Sequence, residues 1–536
     1  MLGRRDPQRS FFDAQSLPHR VSADSFYGRM GAVSDVLFAD EDLQVMYCPD
    51  NGRPSLSPVL MSGVLLLQFY DDVSDAEAVE RTLYDLRWKV ALDLPLDYAG
   101  FDPSSLTNFR KRLLEHGQER YAFSRLIVVG REAGFIPDRV TLLIDTTNVA
   151  GAGAVQDTYT LVRKGIRKLL KAAGFHQTGK RHGLSAQAQA LVERYVDQDH
   201  KADIDWSDAQ QRVGQLKVLV EDADAVLDLV TEHSDDAEVR SIGWLLVKIL
   251  GDDIISDAQG QPQLGQGTAP DRIISLTEPE MRHGRKSQAH RFDGFKVVVS
   301  TDQSSEMILD IGDVTASGSD GAHLLPVIER VEADTEVLVE RVIADGGFGS
   351  GEKRAACVNY DPHPIDLVSP VAQPRDPAVD KSAFQIDLEA ATATCPQGHT
   401  VVGQTHRQKG QPFLQFTFSR ETCEACALFK RCVRSKSGGR TVRTHVYETY
   451  LQTARLRQET EEFKSVYRLR SAIERKIAEL VGHGLRNTRY VGQRKRQLQR
   501  LWIGAAVNLK RLFTLAQARG VDLHEILRWD SVPLAT

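Results

Sequence analysis

Two short apolar runs in this chain stop on an aspartate. "VTLLI" runs into Asp145, and "VIA" runs into Asp345, which Gly346 and Gly347 follow at once. A third carboxylate, Glu474, sits in the helical pattern "VYRLRSAIERKIAEL" among Arg470, Arg475 and Lys476. Carboxylates held at strand tips and on a helix face suit hard divalent cations, which take oxygen ligands and keep several waters. Two such ions about 3.5–4 Å apart activate a water or hydroxyl on one side of a phosphorus and stabilise the leaving oxygen on the other. Converging carboxylates repel one another, so bound cations also favour their ionised forms. Taken singly, each residue has a plainer reading. The aspartates serve as turn or helix caps, and Glu474 is an ordinary ion-pair partner for Arg470, four residues before it. The ordered set of three points to phosphoryl chemistry.

The cysteines suggest a second metal. Cys423-x2-Cys426-x5-Cys432 has metal-ligand spacing, and Cys395 lies upstream in "CPQGH". Four thiolates from two loops would close a tetrahedral Zn2+ site with no open position, so it would be structural. His399 and His406 are spare ligands. In a stretch with little apolar content, zinc would supply folding energy. The competing reading is a set of free thiols or a relic; a disulfide does not suit the cytosol. Cys48 and Cys357 read as isolated packing residues.

These residues need elements to hold them. Apolar spacing of three and four predicts helices over residues 21–135, among them "DPSSLTNFRKRLLEHG" with a basic face of Arg110, Lys111 and Arg112. Residues 140–144 read as a buried strand that Asp145 ends. Residues 158–262 read as helical and acidic. "FDGFKVVVSTD" and "EMILDIGDV" form a predicted hairpin around "QSS". "DGAHLLPVIERV" reads as a helix and "RVIAD" as the next strand. Residues 370–442 look irregular, and 446–516 helical and basic.

At 536 residues the chain is too long for one compact core. The expected class is α/β, divided into a helical domain for DNA binding or dimerisation (1–135), the first part of a catalytic core (136–157), an acidic helical insertion (158–270), the central core (271–369), a Cys-rich, zinc-ribbon-like insertion (370–445) and a helical end carrying Glu474 (446–536). No apolar run reaches the roughly 18 residues of a membrane span. The N-terminus has neither an apolar h-region nor a cleavage site, so a cytoplasmic protein is expected. The net charge of −6 hides a split. Residues 401–536 hold 26 Lys and Arg against 11 Asp and Glu, which leaves 41 against 62 for residues 1–400. A basic C-terminal quarter on an acidic body is expected where one surface meets a polyanion. "GLRNTRYVGQRKRQLQRLWIGAAVNLKRL" puts Arg486, Arg489, Arg494, Lys495, Arg496 and Arg500 near the helix of Glu474, which suits sequence-tolerant contact with a DNA backbone.

The chain resembles the DDE transposases of bacterial insertion sequences, which have an RNase H-like catalytic core. "LLIDTTNV" resembles the segment of the first Asp, "MRHGRKSQAHRFDGFKVVVSTD" the signature leading into the central strands, and "VIADGGFGS" that of the second Asp. Tyr467, Arg470 and Glu474 match a Tyr-x2-Arg-x3-Glu element. The similarity runs along most of the chain, least clearly over 158–262. Where the family often has Lys, seven residues after the Glu, this chain has Val481; Lys476 or Arg475 is the expected substitute. The resemblance implies that Asp145, Asp345 and Glu474 ligate two Mg2+ (or Mn2+) ions, and that Tyr467 and Arg470 orient the DNA backbone. It implies that Gly346 and Gly347 leave room for a phosphate or metal, and that Arg285, Lys286 and Lys296 meet phosphates. The partners implied are double-stranded DNA, as terminal inverted repeats and target, and further copies of the chain in a dimer or larger assembly. The protein would then be nucleoid-associated when on DNA. The rival readings are a nuclease without strand transfer and a decayed DNA-binding relative. A glycosidase with a carboxylate pair is more distant, since it explains neither the basic end nor the cysteines.

Overall fold

The fold is that of a computed structural model, which describes residues 2–3, 18–48, 54–233, 236–267, 269, 271–285, 290–372, 374–408 and 410–528. Six helices come first: α1 (Phe26–Ala32), α2 (Pro58–Tyr70), α3 (Asp75–Tyr84), α4 (Leu86–Leu92), α5 (Ser104–Glu115) and α6 (Tyr121–Glu132). Helix α2 is apolar nearly all round, so it must lie inside, and Met61 to Phe69 are all buried. Pro58 opens it, and the Ser57 hydroxyl caps the Leu60 N–H at 3.3 Å.

The central sheet holds β1 (Arg139–Ala150), β4 (Arg282–Arg285), β5 (Arg291–Asp302), β6 (Ile308–Val314), β7 (Leu338–Ile343) and β8 (Asp366–Val368). The short hairpin β2 (Ile254–Ser256) and β3 (Pro262–Leu264) lies outside it. The sheet runs β5-β1-β7-β8, with β4 and β6 on different stretches of the outer edge of β5. Strands β1, β5 and β6 pair antiparallel, whereas β7 and β8 continue parallel to β1. Three antiparallel strands followed by two parallel ones make an RNase H-like sheet. The predicted hairpin is β5–β6. Strand β1 departs from expectation, because it runs on past Asp145 to Ala150. Thr146 to Ala150 stay paired with β5, and backbone pairing does not require apolar side chains.

Helices α7 (Thr158–Ala172), α8 (Ala186–Val192), α9 (Ala209–His233) and α10 (Ala237–Asp253) build a second core around Leu161, Ile166, Leu169, Val226 and Leu246. Helix α11 (Leu324–Thr335) packs on β6 and β7, and α12 (Gly351–Val358) on β8. Beyond β8 come β9 (Gln385–Asp387), β10 (Thr392–Thr394), β11 (Thr400–Val402), β12 (Gln404–Gln408), β13 (Gln411–Thr417) and β14 (Thr441–Arg443), with the short helices α13 (Arg420–Glu424) and α14 (Phe429–Cys432) before β14. These strands form two three-stranded sheets over a small core of Phe384, Ala393, Phe416, Phe418 and Val442.

The chain ends in α15 (Glu448–Gln458), α16 (Glu461–Arg468), α17 (Ser471–Gly482), α18 (Gln493–Arg519) and α19 (Leu523–Leu527). Helix α17 packs on β1 and β5, and α18 lies against β6, α2 and α6. The N-terminal helices, the sheet and these last helices therefore share one continuous apolar core, from Met30 through Ile144 and Val342 to Phe513. No helix among the described residues is long and apolar enough to cross a membrane.

Candidate active site

The parallel ladder of β1 and β7 is registered to Leu143 opposite Ile343. Asp145 and Asp345 each lie two residues beyond that last pair, so the ladder brings them out side by side. Asp145 is held on its other flank opposite Val299 of β5. Asp345 lies past the end of β7, where Ala344 donates its N–H to the Val368 carbonyl of β8 at 3.1 Å. Helix α17, packed across β1 and β5, brings Glu474 to them in its first turn.

Arg470 joins these groups. One guanidinium nitrogen donates to Asp145 Oδ2 at 2.5 Å, and the other to Glu474 Oε1 at 2.5 Å. The Arg470 and Asp145 side chains are 16% and 14% exposed, whereas Glu474 is 60% exposed. Arg470 Nε is buried with no hydrogen-bond partner among the described residues. Burial pushes the Asp145 carboxyl up to about 6, against the pull of Arg470 and the Thr146 N–H, and the charges of Asp345 and Glu474 raise it further. Burial works against the Arg470 charge, but Asp145, Tyr467, Glu474 and Asp345 hold its proton more tightly than usual. Burial also raises the Tyr467 hydroxyl, with Asp345, Asp145 and Glu474 adding to the effect against Arg470. All five groups thus share one electrostatic neighbourhood. Tyr467 is fixed by stacking on Phe463, with ring centroids 5.7 Å apart.

Gly347 donates its N–H to Asp345 Oδ1 at 2.9 Å, and Ser369 Oγ donates to the Asp345 carbonyl at 2.6 Å. Asp345 is therefore both the turn residue and the strand-tip carboxylate. A Cβ on Gly347 would stand 3.0 Å from Asp345 Oδ1 and 3.6 Å from Asp320 Oδ2. The space this glycine leaves is taken by Asp345's own carboxylate. Asp320 borders the same glycine, and its Oδ1 accepts from Lys296 Nζ at 2.8 Å. Sequence reasoning missed Asp320, since "SDGAH" looks like an ordinary helix start.

The other expected DNA contacts scatter. Arg475 is 64% exposed, and Lys495 and Arg285 are exposed. Lys286 lies outside the described residues. Lys296 is engaged by Asp320. Lys476 is 5% exposed and pairs with Glu479 at 2.9 Å, and Val481 packs against the core. Arg486 bonds Thr147 Oγ1 at 3.3 Å, Arg489 bonds the Val73 carbonyl at 2.6 Å, and Arg494 pairs with Glu119 at 3.0 Å. Arg496 is corrected outright. It is 1% exposed, paired with Glu278 at 2.8 Å and with Asp313 at 2.8 Å, and Arg500 joins Asp313 from the next turn at 3.0 Å. These two arginines close the fold instead of offering a surface to DNA.

Cys395, Cys423, Cys426 and Cys432 line one cavity of about 30 Å³, together with His399. His406 stacks on Phe413 and is not among its lining residues. Cys48 is exposed, and Cys357 is buried in the main core. Among the described residues no group of three or more His, Cys, Asp or Glu side chains stands close enough to hold a metal ion.

Residues 394–513 match the family model described as "Transposase DDE domain", and residues 15–112 match one described as "Transposase domain". The first stretch contains Tyr467, Arg470, Glu474 and the four clustered cysteines; Asp145 and Asp345 lie outside both. No curated protein and no solved structure matches the chain.

Proposed function

We propose that this chain, with its matches to two transposase models over residues 15–112 and 394–513, is a DDE transposase of an insertion sequence that cleaves DNA at the ends of its element and joins the freed ends to a target. The observation that carries this reading is the meeting of Asp145, Asp345 and Glu474 around Arg470. The donor set is all carboxylate, which suits Mg2+ or Mn2+ rather than a thiolate-seeking metal. The side chains stand apart around the guanidinium, so the cation now present between Asp145 and Glu474 is Arg470 itself. Two divalent ions, when bound, would polarise the scissile phosphate and favour the deprotonated nucleophile.

The chain's own residues supply placement. Asp145 is fixed between two strands, and Asp345 is fixed by the Gly347 N–H. Glu474, exposed on a helix turn, is the most adjustable of the three. Arg470, released from its carboxylates and with one donor already unpaired, turns to a phosphate oxygen as a planar fork. Tyr467 orients the strand beside it, and exposed Arg475 and Lys495 meet the backbone. In the first step a water oxygen bonds to phosphorus and the bond to the 3′ oxygen breaks; one water proton ends on the leaving oxygen, freeing a 3′-hydroxyl, and the other passes to solvent. In the second, that hydroxyl oxygen attacks a target phosphorus and displaces the target's 3′ oxygen. Both are in-line displacements, so one site serves both. Two ends must be held together, which calls for a homodimer or larger assembly on DNA.

The test is a supercoiled plasmid carrying the native flanking DNA, incubated with Mg2+ and either the wild type or Asp345→Asn. End-specific cleavage and joining are expected from the wild type alone. Cleavage without joining would make the chain a nuclease. Binding without scission by both proteins would make it a DNA-binding relic.

A further inference from the structure

The transposase reading leaves the four clustered cysteines without a role. Cys395 ends β10 in a tight turn. Its N–H donates to the His399 carbonyl at 2.8 Å, and its carbonyl accepts from Gly398 at 2.9 Å, with Gly398 at φ +87°. The other three come from α13, α14 and the link between them. The Cys426 N–H donates to the Cys423 carbonyl at 3.1 Å, and the Leu428 N–H donates to the Cys426 sulfur at 3.3 Å. An N–H turned onto a sulfur is what a thiolate acceptor needs. Cys432 ends α14, with Arg440 donating to its carbonyl at 3.2 Å. All four side chains are half-buried, line one cavity of about 30 Å³, and form no disulfide.

We propose that Cys395, Cys423, Cys426 and Cys432 form a structural zinc site that holds the two small sheets together. Among the described residues the apolar core beneath them has five buried residues, two of them small: Phe384, Ala393, Phe416, Phe418 and Val442. Small units with so little core need a staple. Both arms of the site hang from this core, since Cys395, Cys423 and Cys432 all pack against it. The sulfurs stand too far apart to be ligands as they are. On binding, the four side chains would turn into the cavity they already line. Four thiols become four thiolates on binding, so four protons leave to solvent and no oxidant is involved. The cysteines pack on the small core and not on the main core that carries strands β1 and β7, so the zinc takes no part in phosphoryl transfer.

The experiment uses the full chain, purified under reducing conditions without added chelator. The expected metal content is about one zinc per chain, kept in Cys48→Ser and lost in Cys395→Ser and Cys423→Ser. Because those variants risk misfolding, Co2+ exchanged into the wild type gives a second reading. A tetrahedral ligand-field spectrum with thiolate-to-cobalt charge-transfer bands is expected. Zinc-free protein with all six thiols titratable would overturn the proposal, as would disulfides among these four cysteines found by mass spectrometry. A cobalt spectrum without thiolate bands would overturn it too. The proposal stands or falls separately from DNA cleavage, because the readout is the metal itself.

Discussion

Asp145 is held at a cost to the folded state, and replacing it with asparagine exposes that cost. A carboxyl that titrates near 6 rather than 3.8 binds more protons folded than unfolded in the interval between. Its contribution is therefore fully present below pH 4 and is lost as pH rises through 6. The difference is about 3 kcal/mol at about 1.4 kcal/mol per pH unit. Asp145 is only 14% exposed, so solvent screening does not erase it. Asp145→Asn keeps the shape and removes the titration. The pairing lost by Arg470 is a constant offset, since the guanidinium stays charged throughout. The variant should thus gain about 2–3 kcal/mol on the wild type between pH 4 and 6.5, the lower figure allowing for relaxation of Asp345 and Glu474. Urea unfolding of both proteins at four pH values in chelator measures it, because the carboxylates away from this site cancel in the difference. Mg2+ should restore the wild type alone, by about 2.7 kcal/mol at a hundredfold excess over Kd. A wild-type-minus-variant difference that is flat from pH 4 to 6.5 would refute the idea that burial and like charge raise this carboxyl.

Two further outcomes follow from side chains already placed. Arg496→Ala should cost about 3–5 kcal/mol in urea unfolding, since it strands Glu278 and Asp313 as buried charges; its exposed neighbour Lys495→Ala should stay within about 0.5 kcal/mol and instead weaken DNA binding and flatten its salt dependence. Gly347→Ala should lower the cleavage rate by roughly a hundredfold, because its Cβ would stand 3.0 Å from Asp345 Oδ1 and push the carboxylate aside, while its melting curve should barely move.

Asp145 and Asp345 stood out because an apolar run that stops on an acid is visible in a window of five residues, whereas Glu474 emerged only from the Tyr-x2-Arg-x3-Glu spacing around it. The hairpin β5–β6 and the helices of 158–253 were legible for the same reason, as local periodicity. What was hidden depends on distant partners. The end of β1 was misjudged because polar Thr146 and Asn148 stay in the strand through pairing with β5, some 150 residues away. Strand β4, in polar "RHGR", exists only because β5 offers an edge. Arg496 and Arg500 looked like surface cations, since nothing local reveals Glu278 and Asp313, about 200 positions earlier. Asp320 escaped because its link to Asp345 runs through the loop that carries Gly347.

Glu278 has a second consequence. Its buried Oε2 accepts the N–H groups of both Ala152 and Gly153 at 2.8 Å, just after β1, while Oε1 is held by Arg496. The chain therefore leaves the sheet and comes back to it at one hydrogen-bonded place. The segment between, residues 154–277, is tied to the sheet beside that place, where Asp271 pairs with Arg282 of β4 and Ile274 packs on Phe295 of β5. The sheet meets this segment close to its two ends, so what lies further out is free to drift in length and composition, and with Glu278 kept in place a shorter loop would leave its three donors satisfied.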